Sequence, residues 1–138
     1  MEVHVEEFDK ETLNRAKKYL ADDYQRMQQK AALYKVLPAA VSFDGDGIRS
    51  GTIDNTMDRR FAEYVEAKRY VEAVEAVFSV MTNDAGRHRD ILIYFYENHL
   101  EDWQIMQRIN QSRATYYRHK KRALYEFIDL FSGIKSFN

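Results

Sequence analysis

The chain has no cysteine, so disulfides and thiolate metal sites are excluded. Helix breakers are scarce. Pro38 is the single proline, and three of the five glycines, Gly45, Gly47 and Gly51, fall in one stretch, with Gly86 and Gly133 apart. No apolar run approaches the length of a membrane span, which predicts a protein with no membrane partner. Residues Met1 to Glu7 are acidic and lack the apolar core of a secretory signal. The expected compartment is therefore a bacterial-type cytoplasm, or a eukaryotic cytosol or nucleus. Charge of one sign is missing as well: 21 Lys and Arg face 22 Asp and Glu, a formal charge of −1.

That near-neutral total hides an asymmetry. Residues 1–85 carry 12 basic and 16 acidic groups, whereas residues 86–138 carry 9 basic and 6 acidic. The stretch from Ser112 to Arg122 holds Arg113, Arg118, Lys120, Lys121 and Arg122 with no acid. A local basic patch on a near-neutral chain suits a specific DNA reader, because phosphates attract the patch while the rest stays off nucleic acid. On this reading the acidic balance keeps the amino-terminal half away from DNA.

What is present argues for a folded, helical protein. The 138 residues suit one domain, or one domain with a helical extension. Hydrophobic residues make up 45% and aromatics 14%, which argues against disorder. The fold class is predicted as all-α: a long amino-terminal helical hairpin over 1–82, then a DNA-binding domain over 83–138. The first helix is expected from about Glu7 to Val36, with Leu13, Leu20, Met27 and Tyr34 forming a seven-residue repeat. A helix that long exceeds what a small domain can cover, so the repeat suggests a seam for a homodimer. Residues 37–57 read as a long Gly-bearing loop, functional or mobile. The second helix is expected from about Asp58 to Thr82, with Phe61, Tyr64, Val65, Val71, Val74, Phe78 and Met81 on its apolar face. After a break at Asn83–Gly86, a third helix runs over about Arg87–Asn98, a short fourth over Glu101–Ile109 and a fifth from Arg113 to about Phe131.

Residues Glu101 to Leu124 fit a helix-turn-helix. Trp103, Ile105, Met106 and Ile109 supply inner apolar positions on the short helix. Asn110-Gln111 makes the turn, since Asn tolerates the left-handed conformation. Ser112 is a good N-cap, because its hydroxyl satisfies an orphan amide of the next helix. Tyr116 then faces inward with Ala123, Leu124 and Phe127. Arg113, Ala114, Thr115, Tyr117 and Arg118 remain on the outward amino-terminal turns, the positions that enter a major groove. Arg113 and Arg118 can each pair with a guanine edge or clamp a phosphate, and Ala114 and Thr115 can meet a thymine methyl. Tyr117 can stack on a sugar or donate to a phosphate. Lys121 and Arg122 lie beyond the base-reading turns and suit backbone phosphates. A basic amphipathic helix is more often a solvated face; the apolar short helix, the Ser-capped turn and the absence of acids together point to DNA.

The segment Ile91 to Phe127 resembles region 4 of bacterial sigma-70-type factors. More closely, Ser112-Arg113-Ala114-Thr115-Tyr116-Tyr117-Arg118-His119-Lys120-Lys121-Arg122-Ala123-Leu124 resembles the ArpU-type phage regulators, as do the preceding Glu101-Asp102-Trp103 and the Gly-bearing loop. The likeness is strongest over about 86–131 and loose over 1–85. It implies a transcription regulator of phage or prophage late genes, for packaging and lysis, acting in a bacterial host cytoplasm on the nucleoid. The chain lacks a promoter-melting region, so at promoters it would assist the host RNA polymerase rather than replace a sigma factor.

Other chemistry reads poorly. Asp44, Asp46, Asp54 and Asp58 suggest a calcium loop, but an EF-hand starting at Asp44 would put Arg49 at the glycine and Asn55 at the bidentate glutamate. His88, His99 and His119 are too scattered for zinc without cysteines. His119 reads as a phosphate donor or, more readily, as a half-buried helix residue. No Gly-Lys-Ser/Thr follows the glycines, and no catalytic triad is legible, so neither an enzyme nor a cofactor is expected. Tyr94, Phe95, Tyr96 and Trp103 read as core. Two rival readings are a small-terminase-like packaging protein, whose usual order places the DNA-binding part first, and a helical adaptor that binds only protein.

Overall fold

A computed structural model describes residues 6–36 and 51–138, with side chains in the second segment from Met57 onward. Every regular element among these residues is helical. No described helix is long and apolar enough to cross a membrane. The expected loop features Pro38, Gly45, Gly47, Asp44 and Asp46 lie outside the described residues.

Helix α1 spans Lys10–Lys18. It starts later than the expected Glu7 because Asp9 takes an extended backbone and caps it, accepting from the Thr12 amide at 2.7 Å. The hydrogen bonds from the Thr12 amide and hydroxyl hold the Asp9 carboxyl below its ordinary range. A π-helical turn, Tyr19–Asp23, joins α1 to α2, Tyr24–Tyr34. That turn inserts one residue into the helical register. The seven-residue repeat therefore loses its phase. Leu13 and Leu20 are buried, Tyr24 takes the next inward place, and Met27 and Tyr34 are only half-buried. Leu13 and Leu20 are covered by the chain itself, so they are not free to form the expected self-association seam.

Helix α3 spans Gly51–Val80, so it begins inside the stretch expected to be loop up to residue 57. Extending a formed helix costs little per residue, which lets weak formers such as Thr52, Asp54 and Asn55 join it. Helix α4 is His88–Leu92, followed by a second π-helical turn, Ile93–Glu97. Helix α5 is Asp102–Ile109 and α6 is Arg113–Phe131, both close to expectation.

By packing, the chain divides into two units: residues 1–21 with 73–138, and residues 22–72. This differs from a boundary between 82 and 83, because α1 and the end of α3 belong with the carboxy-terminal helices. In the smaller unit, Tyr34 meets the Phe61 ring at 5.7 Å, Lys68 sits over the Tyr34 ring and Lys30 pairs with Glu63. The larger unit is built around α6. Tyr116, Leu124, Phe127 and Phe131 on α6 are nearly inaccessible to solvent, as are Ile91, Leu92, Ile105, Val74 and Phe78, and the Phe78 and Phe127 rings meet at 5.7 Å. The carboxy-terminal tail returns to α1: Phe137 is buried against Tyr19, with ring centres 5.3 Å apart. Arg15 donates to the Phe137 carbonyl at 2.9 Å and the Thr12 hydroxyl donates to Asn138 at 3.3 Å.

The connection from α3 to α4 is held by polar contacts. Glu126 of α6 accepts from the Thr82 amide at 3.0 Å and its hydroxyl at 2.8 Å, and lies 2.9 Å from His88 Nδ1. Gly86 is required by close approach. A Cβ there would sit 3.1 Å from the His119 ring and 3.2 Å from the His88 ring.

Candidate nucleic-acid interface

The short helix α5 begins with reciprocal capping. The Glu101 side chain takes the amide at the third helical position, and Gln104 Oε1 accepts from the Glu101 amide at 2.9 Å. Its buried face is Ile105 and Ile109, one turn apart. Asn110 ends the helix in the left-handed region at φ 53°, as its residue type suggested. Gln111 anchors the turn by donating to the Ala85 carbonyl at 3.2 Å. Ser112 caps α6, with its hydroxyl oxygen 3.4 Å from the Thr115 amide and donating to the Thr115 hydroxyl at 3.0 Å.

Most of the expected contact residues form two adjacent rows along α6. Arg113, Tyr117 and Lys121 recur every four residues, with Ala114, Arg118 and Arg122 one position on. Ser112, Arg113, Ala114, Tyr117, Arg118 and Lys121 are exposed, while Thr115 and Arg122 are half-buried. Arg118 makes no ion pair with a described residue. Arg113 lies over the Tyr117 ring at 5.2 Å and Lys121 over the Tyr125 ring at 5.8 Å. Tyr116 is fully buried, as expected, and His119 is half-buried beside His88.

Sequence reasoning missed the hub of this arrangement, Asp102. Its Oδ1 accepts from the Tyr116 hydroxyl at 2.6 Å and from Lys120 Nζ at 2.8 Å, and its Oδ2 accepts from the Tyr117 hydroxyl at 3.0 Å. Burial alone would raise the Asp102 carboxyl. The hydrogen bonds and charge of Lys120, with the two phenols, outweigh burial and hold it below its ordinary range. Burial lowers Lys120, and Asp102 opposes that shift. The Lys120 ammonium also sits 3.5 Å from the centre of the Phe95 ring. Tyr116 is pushed well above the ordinary phenol range by burial and by its bond to Asp102. The first residue of α5 is thus tied to three residues of α6, which fixes how the two helices pack.

The hub changes the reading of Tyr117. Its hydroxyl donates to Asp102, and its pKa is raised chiefly by that hydrogen bond. The phenol is therefore a brace, and its ring remains the accessible part. Trp103 also departs from expectation. It was placed on the inner face of α5, yet it is 55% exposed, with Nε1 donating to Glu101 at 2.7 Å. Two residues before Ile105, it lies nearly opposite the buried face of the helix. Among the described residues, no group of three or more His, Asp or Glu is placed to hold a metal.

A family described as "Protein of unknown function (DUF1492)" matches residues 51–127, just over half of the chain. No curated protein and no solved structure shows significant similarity to it.

Proposed function

We propose that this chain, which belongs to the family of proteins of unknown function DUF1492, is a non-enzymatic regulator that reads double-stranded DNA with α5 and α6 as a helix-turn-helix. One observation carries the reading. The first two turns of α6 present Arg113, Ala114 and Arg118 to solvent without an acid among them, on a helix capped by Ser112 and braced from behind through Tyr116 and Asp102. A recognition helix needs that combination of an exposed, base-compatible face and a fixed backbone. Arg113 and Arg118 are the base readers, with Ala114 and Thr115 against thymine methyls. Lys121 and Arg122 hold phosphates. On the likeness to ArpU-type regulators and to sigma-70 region 4, the proposed targets are the late genes of a phage or prophage and the proposed partner is the host RNA polymerase. One such module covers half a site, so two copies on an inverted repeat would complete it; with Leu13 and Leu20 occupied in the core, they would pair through another surface.

Selection from a pool of random duplexes tests this reading. Enrichment of one short sequence is expected, and an unenriched pool would defeat it. Arg113→Ala should then lose about 1–3 kcal/mol on the selected duplex relative to a scrambled one. Equal losses on both would reduce Arg113 to a phosphate contact.

A further inference from the structure

Helix α1 does not share the acidic balance of the amino-terminal half. Helix α1 carries Lys10, Arg15, Lys17 and Lys18 against the single acid Glu11, and it packs beside α6 in the same unit. Between the two helices runs a cleft of about 460 Å³. Its α1 side repeats at one face: Lys10, Leu13, Asn14 and Lys17. Its α6 side repeats at the matching face: Tyr117, Lys120, Lys121 and Leu124. Leu13 and Leu124 are buried and form an apolar floor. The polar rims carry four lysines. Asp102 neutralises Lys120, whereas Lys10, Lys17 and Lys121 make no ion pair with a described residue. Lys17 lies close enough to Lys120 to add to the lowering of that ammonium's pKa. Like charges gathered over an apolar floor cost free energy unless an anion joins them.

We propose that this groove seats the sugar–phosphate backbone of the DNA strand beside the one read by α6, with Lys10 and Lys17 as phosphate contacts supplied by α1. The deoxyribose matches the apolar floor and the phosphates match the lysine rims. The groove continues the exposed face of α6 through Tyr117 and Lys121, so one duplex reaches both. The tail contacts of Arg15 and Thr12 with Phe137 and Asn138 hold α1 at this edge. Lys10, Asn14 and Lys17 lie outside the family match, so this contact extends beyond the shared segment. The inference rests on the DNA-binding reading above.

The test compares the full chain with Lys10→Ala/Lys17→Ala on a random-sequence duplex of about three helical turns, across a salt series. Two lost phosphate contacts should flatten the log–log salt slope by about 2. The ratio of wild-type to variant affinity should then shrink about tenfold between about 50 and 200 mM salt. Lys10→Arg/Lys17→Arg should keep the wild-type slope, and Lys18→Ala, outside the cleft, should move it little. Unchanged helicity and a melting temperature no lower than that of the wild type establish that the variants fold. A wild-type protein that binds duplex DNA with a double variant of unchanged slope overturns the groove and leaves the DNA reading standing. A wild-type protein that binds no duplex at all overturns both.

Discussion

Removing Asp102 should unsettle the α5–α6 pair more than its partial exposure suggests. Asp102→Ala deletes the acceptor of the Tyr116 hydroxyl, the Tyr117 hydroxyl and the Lys120 ammonium at once. The Lys120 side chain is 13% exposed, so its charge would be left nearly dry. Breaking a fully buried pair on one side costs about 3–5 kcal/mol. Asp102 itself is 28% exposed, so solvent already screens part of the attraction. The Phe95 ring also keeps hold of the ammonium. These two corrections bring the expected loss to about 2 kcal/mol, a fall in Tm of about 6–10 °C for a chain of this size. Urea unfolding at neutral pH measures it, with an unchanged m value showing that the fold is kept. Tyr116→Phe removes one hydrogen bond to a charged acceptor and strands no charge, so it should cost less, about 1.5 kcal/mol. Asp102→Ala/Lys120→Met should recover part of the single loss, because no unpaired charge remains. The brace is refuted if Asp102→Ala costs under about 0.5 kcal/mol, or if the double variant is no more stable than Asp102→Ala.

Gly86→Ala should destabilise the protein by about 1–3 kcal/mol, because the new Cβ meets the His88 and His119 rings and His88 is held by Glu126; a melting curve indistinguishable from wild type would contradict this. Burial alone would raise Glu126, but the hydrogen bonds from His88 and Thr82 outweigh it and hold the carboxyl below its ordinary value. A depressed carboxyl stabilises the fold fully above the unfolded value, near pH 4.3, and loses that contribution as the pH falls through its folded value. The stability gap between wild type and Glu126→Gln should therefore narrow as the pH is lowered below about 4. A gap that stays constant down to pH 3 would remove Glu126 from the acid response. Leu20→Ala should cost about 2–5 kcal/mol at any protein concentration, since Leu20 is wholly covered within the chain; a loss that vanishes on dilution would return it to an intermolecular seam.

The parts of the fold legible in the sequence are those set by neighbours in the chain. Ser112 caps the helix that follows it, Asn110 takes the left-handed turn, and the spacing of Tyr116, Ala123, Leu124 and Phe127 gives the inner face of α6. Each is decided within one or two turns. The start of α3 was hidden because glycine, threonine and asparagine at 51–57 read as loop while the helix behind them simply extends. The π-helical turn at Tyr19–Asp23 leaves no pattern of its own, yet it decides that Leu20 is inside and Tyr34 only partly so. Asp102 was invisible as a hub because its partners lie 14 to 18 residues away in the chain. Trp103 was misplaced because aromatic character was read without helical phase. The grouping of α1 with α6 brings together residues far apart in the chain, as the Phe8 and Tyr125 rings 6.1 Å apart show, and no local pattern announces it.

Amide chemical-shift mapping during titration with a selected duplex tests the central claim most directly. The account predicts the largest shifts at Ser112 to Arg118, with a second set at Lys10 to Lys17 along the edge of α1, and saturation at a fixed ratio of protein to duplex. Shifts gathered instead on the unit of residues 22–72, with α6 silent, would contradict it.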